Sequence, residues 1–521
     1  MKYLIALLSG YGLLLGALNS GFAQEMPPDA MNYDILVEKL YREHIPLDGA
    51  KVKFIPFRKD SLFGFVEKYS QKVVLKPAYQ QVFATYAEGA IVSEDSEHYD
   101  FIDYSGKVIL GGPFMNMFRN KDLIHGIASG RDTTRKPPLS ESYLVNYFYN
   151  VKTKHYFNIR AHNQGGYGAN DYAWFRFDRV YKIYDREGNV MHTFPQKETE
   201  HFVGIFDNQL VFVKEPASEQ DAQVISVNDI GGKALYDIKL EGSVHLKGFR
   251  KMNDTLFALV TDGEILLIND KGTLMPYGVY SGTVGFGAHY AYNEIVAATE
   301  LLKVADPETQ LMGILRKDGK LLSPVTQKFQ PDPQGKEFAF LDEATFKVGF
   351  KNDQGTIVVP ATLSAIYFMN PFGNDFEIDN RILYANNLCR ASMPRLENGV
   401  YIDHGDDEDK PGNKQYSYFD RSGKIAFTLP DDIYWAGHFS DGLAPVLDNK
   451  RKIGFIDTTG KLVIQCKYEL AVADAYPMPY VVIPEFKNGF AYLKAFKGYI
   501  DQNGKEYFSG KRLEDKYDFS H

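Results

Sequence analysis

One short pattern, an aromatic residue followed by Ile, Asp, two variable residues, Gly and Lys, occurs three times in this chain. It reads FIDYSGK at 101–107, FIDTTGK at 455–461 and YIDQNGK at 499–505. An aromatic residue and an isoleucine favour a strand, whereas Asp at the first and Gly at the fourth position are typical of a type I turn. The residues after the lysine resume a strand. The pattern therefore predicts a β-hairpin, and its recurrence predicts a repeat protein.

In these three hairpins the Asp is expected to bond the backbone of its own turn, and the Gly is expected to take a left-handed conformation. The structural turn residues predicted in this way are Asp103, Asp457, Asp501, Gly106, Gly460 and Gly504.

Related turns, in which an Asp precedes a Gly by one to three residues, recur along the whole chain. Successive turn glycines are mostly 36–47 residues apart, and a period near 40 residues is typical of repeat arrays. The 82-residue interval after Gly106 predicts one degenerate hairpin, and the 68-residue interval after Gly355 leaves room for an insertion. The turns are Asp103–Gly106, Asp185–Gly188, Asp229–Gly232, Asp270–Gly272, Asp318–Gly319, Asp353–Gly355, Asp420–Gly423, Asp457–Gly460 and Asp501–Gly504.

A second element precedes the best hairpins, namely an aromatic residue, two further residues, a glycine and an apolar strand. It reads YAEGAIV at 86–92, FSDGLAPV at 439–446 and FKNGFAYL at 486–493. The unit is therefore expected to have about three strands, and the fold class is all-β with about ten units. Because one propeller usually holds four to eight blades, an open solenoid-like stack is preferred, with one or two propeller-like bodies as the alternative.

These residues resemble the bacterial WG-type β-repeat family. The family unit runs Gly-aromatic-Ile-Asp, turn, Gly-Lys-hydrophobic, Pro-x-Tyr and then aromatic-x-x-Gly-Leu-Ala, and the segment GFVEKYSQKVVLKPAYQQVFATYAEGAIV (64–92) carries nearly all of it. Further matches are GFIDTTGKLVIQCKYE (454–469) and GYIDQNGKEYF (498–508). The resemblance is good over 60–110 and 415–508. It implies a repetitive β architecture that is often exported and usually has no assigned activity.

The tryptophan that gives the family its name is absent from the corresponding positions. Those positions are Phe63, Ile453 and Lys497 here. The expected fold is unaffected by this difference, whereas a function tied to that indole is not expected.

The first 23 residues have the organisation of an export signal. Lys2 precedes an apolar run from Leu4 to Leu18, and a Gly-Phe-Ala sequence fits a cleavage site before Gln24. A retained membrane anchor is the rival interpretation, but the run is short and interrupted by glycines. The protein is therefore expected to be secreted or periplasmic, with no membrane insertion after the signal is removed.

The sequence patterns divide the rest of the chain into three parts. Residues 24–50 predict a helical cap, residues 51–380 predict N-terminal and central β-repeats, and residues 381–521 predict C-terminal β-repeats with an acidic, flexible loop at 403–413. Residues 111–140 are interpreted as a long polar loop. The predicted helix has one apolar face, formed by Tyr33, Leu36, Val37, Leu40 and Tyr41.

An aromatic-rich insertion over 111–184 is the best candidate for a binding surface. Thirteen of the 44 residues in 141–184 are aromatic, against 14% in the whole chain. Exposed rings on a rigid scaffold stack on sugars or anchor a protein partner. The competing interpretation is that half of the rings are the inward faces of strands. The candidate binding residues are Tyr172, Trp174, Phe175 and Phe177.

Composition excludes some classes of function. The net charge is −9, without clusters of Lys and Arg, which argues against nucleic acid as a partner. The two cysteines, Cys389 and Cys466, are too few for a disulfide scaffold and are expected to be free and buried.

No catalytic signature is recognisable. There is no Gly-x-Ser-x-Gly, His-Glu-x-x-His or Walker sequence, and the acidic residues near 403–409 lack the spacing of a calcium loop. No cofactor, metal site or catalytic residue is therefore predicted. The favoured function is a non-enzymatic binding or interaction scaffold of the cell envelope, with an envelope protein or glycan as partner. The alternative is a secreted hydrolase of glycan or peptide, with its site in the degenerate central repeats.

Overall fold

A computed structural model of the chain describes residues 52–510 except for several short segments. Those segments are 132–141, 162–164, 168–171, 178, 215, 217–221, 241–243, 262–264, 280–299, 307, 310, 328–335, 343, 365–383, 395, 398–399, 402–413 and 474–479. The predicted signal, the predicted helical cap and the predicted acidic loop lie outside the described residues. The described part is all-β apart from one short 3₁₀ helix, Lys494–Phe496.

The strands of the first half are short and regular. They are β1 Phe54–Lys59, β2 Leu62–Glu67, β3 Val73–Tyr79, β4 Gln81–Thr85, β5 Ala90–Ser93, β6 Asp100–Ile102, β7 Val108–Leu110, β8 Asn116–Asn120, β9 Leu123–Arg131, β10 Ser142–Asn150, β11 Tyr156–Ala161, β12 Gly165–Tyr167, β13 Ala173–Phe177, β14 Val180–Tyr184, β15 Val190–Pro195, β16 Glu200–Phe206, β17 Gln209–Lys214, β18 Val224–Asp229, β19 Ala234–Lys239, β20 Gly248–Lys251, β21 Leu256–Val260, β22 Ile265–Asn269 and β23 Leu274–Val279.

The second half continues in the same manner. Its strands are β24 Leu301–Ala305, β25 Met312–Arg316, β26 Leu321–Gln327, β27 Glu337–Asp342, β28 Lys347–Asn352, β29 Ile357–Ser364, β30 Tyr384–Ala385, β31 Leu388–Pro394, β32 Leu396–Glu397, β33 Val400–Tyr401, β34 Lys414–Phe419, β35 Ile425–Thr428, β36 Ile433–Ala436, β37 Leu443–Asp448, β38 Ile453–Asp457, β39 Leu462–Tyr468, β40 Ala471–Ala473, β41 Tyr480–Val482, β42 Phe490–Leu493, β43 Gly498–Asp501 and β44 Phe508–Ser509.

The best-formed unit is an antiparallel meander of four consecutive strands. Separate sheets of this kind are β4–β7, β8–β11, β12–β15, β16–β19 and β36–β39. The unit therefore has one strand more than the three expected. Within the described residues, a hairpin joins the last two strands of a unit ten times, as in β6–β7, β18–β19 and β38–β39, and eight of the ten turns contain the predicted glycine. The strand that follows each of these turns is called the outer strand below.

The hairpin turn explains why Asp and Gly recur. At residues 457–461, the Gly460 N–H donates to the Asp457 carbonyl at 2.9 Å, and the Asp457 N–H donates to the Lys461 carbonyl at 2.9 Å. The Asp457 carboxylate accepts the N–H groups of Thr459 and Lys461. Gly460 has φ +82°, and Gly106 and Gly504 have φ +86° and +75°. A glycine in this conformation after a type I turn starts a β-bulge in the outer strand.

The charge of the turn aspartate leads to a prediction about pH. The Thr459 hydroxyl, followed by the backbone N–H groups of Thr459 and Lys461, lowers the pKa of Asp457. Because the folded pKa is below the unfolded value of about 3.9, this stabilisation is present at neutral pH and is lost as pH falls through the folded pKa. Asp457→Asn keeps the acceptor, since Asn352 accepts the equivalent N–H groups of Gln354 and Thr356.

We therefore expect Asp457→Asn to be less stable than the wild type at pH 7, and the loss of stability to be smaller near pH 3. Urea unfolding at the two pH values measures the difference. An equal loss of stability at both pH values would show that geometry, and not charge, is the cause.

A second glycine, at the start of the third strand, is required by close approach of the outer strand. A Cβ on Gly454 would lie 2.7 Å from the Ile464 carbonyl oxygen and 2.6 Å from the Cys466 sulfur. The register shows the reason, since Ile453 pairs with Tyr468 while Phe455 pairs with Ile464, so the outer strand carries two extra residues opposite the glycine. The same shift occurs opposite Gly64, Gly313 and Gly349.

Neighbouring units contact each other through the turn glycines. A Cβ on Gly460 would lie 2.6 Å from the ring of Phe427, which is on the outer strand of the preceding unit. Gly106 lies over Leu75 in the same way. Further pairs of this kind are Gly188 with Phe157, Gly355 with Leu322 and Gly504 with Ile464. The repeat motif therefore encodes both the hairpin and the contact between units.

The two ends of the described chain meet in one sheet, whose order is β3-β2-β1-β44. Strand β44 pairs in parallel with β1, through Arg58 with Phe508 and Lys59 with Ser509. The closed form is therefore observed at this seam, whereas an open stack was preferred from the sequence. A shared core supports the seam and contains Val52, Ile55, Val66, Phe490, Tyr499 and Tyr507.

The prediction of a polar loop over residues 111–140 is wrong for much of that segment. Residues 116–120 and 123–131 form the strands β8 and β9, which pair with β10 and β11 in one sheet. The hairpin β10–β11 is the degenerate one expected between Gly106 and Gly188. Its turn has Lys154 with φ +62° in place of a glycine.

Both cysteines are free thiols, and Cys389 is buried as expected, whereas Cys466 is only half-buried. Cys389 is fully buried with Val348, Phe350 and Val359, and burial raises the pKa of Cys466 to about 11. At pH 8 such a thiol is ionised to about one part in a thousand, so it reacts slowly. We expect a thiol reagent to label the native protein slowly and to label both cysteines once the chain is unfolded. A non-reducing mass two protons lighter than the reduced mass would instead show a disulfide.

Candidate functional site

The aromatic residues proposed as a binding surface pack between neighbouring units. Phe175 is buried with Phe148 and Tyr184, on the side of β13 that faces β9–β11. Trp174 points to the other side and is half-buried, with its ring 5.2 Å from Phe202 in an edge-on arrangement. The alternation along β13 therefore places successive rings in two different cores.

The other two candidates, Tyr172 and Phe177, are also half-buried. Tyr172 packs against the core that contains Ile183 and Phe212, and the Lys182 ammonium lies 5.0 Å from the centre of the Phe177 ring. The four side chains therefore do not form one exposed platform. Each has a packing role that accounts for its presence.

The buried polar side chains of the described residues include one histidine with a clear packing role. This residue is His125, because its Nε2 lies 2.9 Å from the Asn146 side-chain oxygen and its ring stacks on Phe148 at 4.4 Å. Burial lowers the pKa of His125 to about 4, so the imidazole is neutral at physiological pH. Within the described residues, no group of three or more His, Cys, Asp and Glu side chains is placed to hold a metal ion.

None of the described residues forms a helix with the length and hydrophobicity needed to cross a bilayer.

A surface that sequence reasoning missed lies at the start of the outer strands. Eighteen large apolar side chains are exposed among the described residues, and thirteen of them occupy the first two positions of an outer strand. Every one of the ten outer strands has at least one. We call this set the outer rim; its members are Val73, Val74, Val108, Tyr156, Val190, Met191, Leu235, Leu274, Leu321, Ile357, Val358, Ile425 and Val463.

A β-bulge lies at several of these positions. Ile456 pairs with Leu462 and Phe455 pairs with Ile464, so Val463 is an extra residue without a cross-strand partner. Val74 and Val358 are the equivalent extra residues in β3 and β29. Burial along β39 alternates from Leu462 to Tyr468, so Val463 faces solvent at an outward position of the strand, where the bulge also leaves it unpaired.

The rim follows the array from unit to unit. Most turn glycines lie on the outer strand of the preceding unit, as with Gly106 on Leu75 and Gly460 on Phe427. Burying a whole aliphatic side chain stabilises a folded protein by about 1.5–3 kcal/mol. At about 25 cal/mol per Å², this energy corresponds to about 60–120 Å² of apolar surface on each side chain. Rim side chains are exposed by between 38% for Val358 and 55% for Ile357. The rim therefore presents roughly 350–700 Å² of apolar surface.

Charged groups of both signs border the rim. A lysine directly precedes the rim residue in several units, and Lys107, Lys320 and Lys424 are exposed examples. The turn carboxylates Asp103 and Asp457 belong to the same hairpins, and their lowered pKa values keep them ionised. The signal in the sequence was an apolar residue one or two positions after the turn lysine, as in Lys107-Val108, Lys320-Leu321 and Lys424-Ile425.

One repeat of the chain matches a known protein family. Residues 453–473, which include β38 and Gly454, match the family described as a WG containing repeat. This match supports a WG-repeat protein at the level of one repeat. No curated protein matches the chain.

Solved structures with similar folds have low similarity scores. A eukaryotic initiation factor has a TM-score of 0.38 at 10% identity, over 82% of this chain and 98% of that one. The β-propeller domain of the trilobed protease from Pyrococcus furiosus has a TM-score of 0.22 at 12% identity, over 80% and 99%. BamB from Moraxella catarrhalis has a TM-score of 0.21 at 9% identity, over 72% and 96%. Scores this low carry no argument about function.

Proposed function

We propose that this chain is an exported, non-enzymatic scaffold of the cell envelope that binds a protein partner through the outer rim. The observation that carries the proposal is the repetition of exposed apolar side chains at the start of all ten outer strands. Monomeric soluble proteins rarely expose large contiguous apolar patches, and such patches are typical of interaction sites.

The chemistry of the rim favours protein over glycan. Eleven of its thirteen side chains are aliphatic, one is the thioether of Met191, and only Tyr156 is aromatic. Sugar recognition relies on aromatic rings that stack on the pyranose face, whereas aliphatic rows pack against the apolar side chains of another protein. The aromatic residues near Trp174 contribute to the scaffold core in this proposal.

Export is part of the proposal and rests on the leader-like pattern of residues 1–23. Intact-mass analysis of the protein recovered from the periplasm or medium should give a chain that begins at Gln24. Recovery of a chain that still carries Met1 would contradict export by this route.

Binding is tested with the mature chain immobilised and exposed to envelope extracts of the producing cell. We define a rim variant, Ile357→Lys, Ile425→Lys and Val463→Lys, and a control variant, Leu62→Lys, Met115→Lys and Phe346→Lys. The control residues are exposed apolar side chains outside the rim, and both variants gain the same charge.

The rim variant should lose the retained protein, and the control variant should keep it. Equal retention by wild type and both variants would overturn the proposal. Turnover of a glycan or peptide substrate by the purified protein would favour the hydrolase instead.

A further inference from the structure

We propose that the partner on the outer rim is a second copy of this chain, associated face to face about a two-fold axis. This inference rests on the proposed function, because it names the partner of the same surface. The period, the charge pattern and the apolar area of the rim carry it.

The first property is the period. Each unit presents its apolar side chains at one place, directly after the turn, and the turns follow each other along the array. A partner that contacts several units at once must repeat with the same spacing. A second copy satisfies this requirement by construction, because a two-fold axis pairs identical surfaces.

The second property is the mixture of charges. Five turns each carry one carboxylate and one exposed ammonium group, so the rim has no dominant sign. A partner of uniform charge would be attracted by one group and repelled by the other in each of these five units. A second copy in reversed orientation places the lysines of one copy against the aspartates of the other. The pairs are Asp103 and Lys107, Asp229 and Lys233, Asp318 and Lys320, Asp420 and Lys424, and Asp457 and Lys461.

The third property is the area. A stable interface of standard size buries about 800 Å² on each partner, of which about 60% is apolar, or about 500 Å². The rim presents roughly 350–700 Å² of apolar surface, as estimated above. The exposed side chains therefore match what a dimer of standard size requires.

Sedimentation of the purified mature chain over about 1–100 µM tests the proposal, because standard interfaces give dissociation constants from micromolar downwards. We expect a reversible dimer. The rim variant should raise the dissociation constant by about 100-fold or more, since its three lysines would face apolar side chains of the other copy. The control variant should stay within about threefold of the wild type.

Circular dichroism and melting curves establish that each variant is folded. If the rim variant is unfolded, Lys424→Glu with Lys461→Glu replaces it, because both side chains are exposed and the change does not touch the core. This pair should raise the dissociation constant by about tenfold through repulsion from the turn aspartates of the other copy.

A wild type that stays monomeric at about 100 µM would overturn the proposal, as would a dimer that the rim variant leaves intact. A monomeric wild type that still loses its envelope partner in the rim variant would identify a different protein as the occupant. In that case the proposed scaffold function would be supported, and the proposal that the partner is a second copy of this chain would be wrong.

Discussion

Replacing Gly454 with alanine is expected to lower the free energy of unfolding of the C-terminal units by about 2–3 kcal/mol, which is near the upper end for overpacking. The added Cβ would lie 2.7 Å from the Ile464 carbonyl oxygen and 2.9 Å from the Cys466 backbone nitrogen. Both atoms belong to the backbone of the outer strand, so no side-chain rotation relieves the contact. The bulge opposite Gly454 must move, and the pairing of β38 with β39 is weakened.

Fluorescence of Trp435 reports this change locally. Trp435 is fully buried in the same core as Phe455 and Ile464. A background with Trp174→Phe leaves Trp435 as the single tryptophan, because the chain has two. Denaturant unfolding followed at this residue should therefore show a lower midpoint for Gly454→Ala.

Gly231→Ala is the matched control. A Cβ there would have one ordinary contact, at 3.4 Å from an Asp229 oxygen, and Gly231 has no left-handed φ. Its free energy of unfolding should stay within about 0.5 kcal/mol of the wild-type value. Equal midpoints for Gly454→Ala and Gly231→Ala would show that the bulge yields without cost.

Local patterns predicted the hairpins well because turn chemistry acts over a few residues. The Asp-x-x-Gly-Lys sequence specifies a type I turn and the bulge that follows it, whatever the rest of the chain does. The alternation of Leu462, Ile464 and Cys466 on one face was also predicted, and it holds from Leu462 to Tyr468, where the faces are distinguished by burial. Residues with strong local preferences are therefore placed correctly from sequence.

The strands β8 and β9 were missed because their residues have weak β-propensity. The segment from Arg119 to Arg131 is rich in polar residues and contains two glycines. Its strand conformation depends on packing of Met117 and Ile124 under Phe114, which only the fold brings together. Such tertiary packing overrides intrinsic preference in strands.

The seam and the rim were missed for different reasons. The pairing of β1 with β44 joins residues about 450 positions apart, for example Arg58 and Phe508, and no local signal encodes it. The rim was missed because alternation assigns a residue such as Val463 to the outward face of one strand but does not show that all ten outer strands begin with exposed apolar side chains. For Trp174, a count of aromatic residues could not separate an exposed ring from one packed between two units.

Gly460→Ala is expected to cost about 2–4 kcal/mol, whereas Gly442→Ala is expected to cost about 1 kcal/mol. Both glycines have φ +82°, so the penalty for a left-handed alanine is the same. They differ in their surroundings, since a Cβ on Gly460 would lie 2.6 Å from the Phe427 ring and a Cβ on Gly442 would meet nothing within 4 Å. The excess loss in Gly460→Ala therefore measures the contact between two units.

A double-mutant cycle with Phe427→Leu tests this assignment, with denaturant midpoints as the measurement. Removing the ring should reduce the cost of Gly460→Ala towards that of Gly442→Ala, because leucine leaves space for the new methyl group. An unchanged cost in the Phe427→Leu background would place the strain inside the turn. If the cost falls as expected, the glycine of the repeated motif joins each unit to the one before it, and its recurrence along the chain is explained by the contacts between units as well as by the turns.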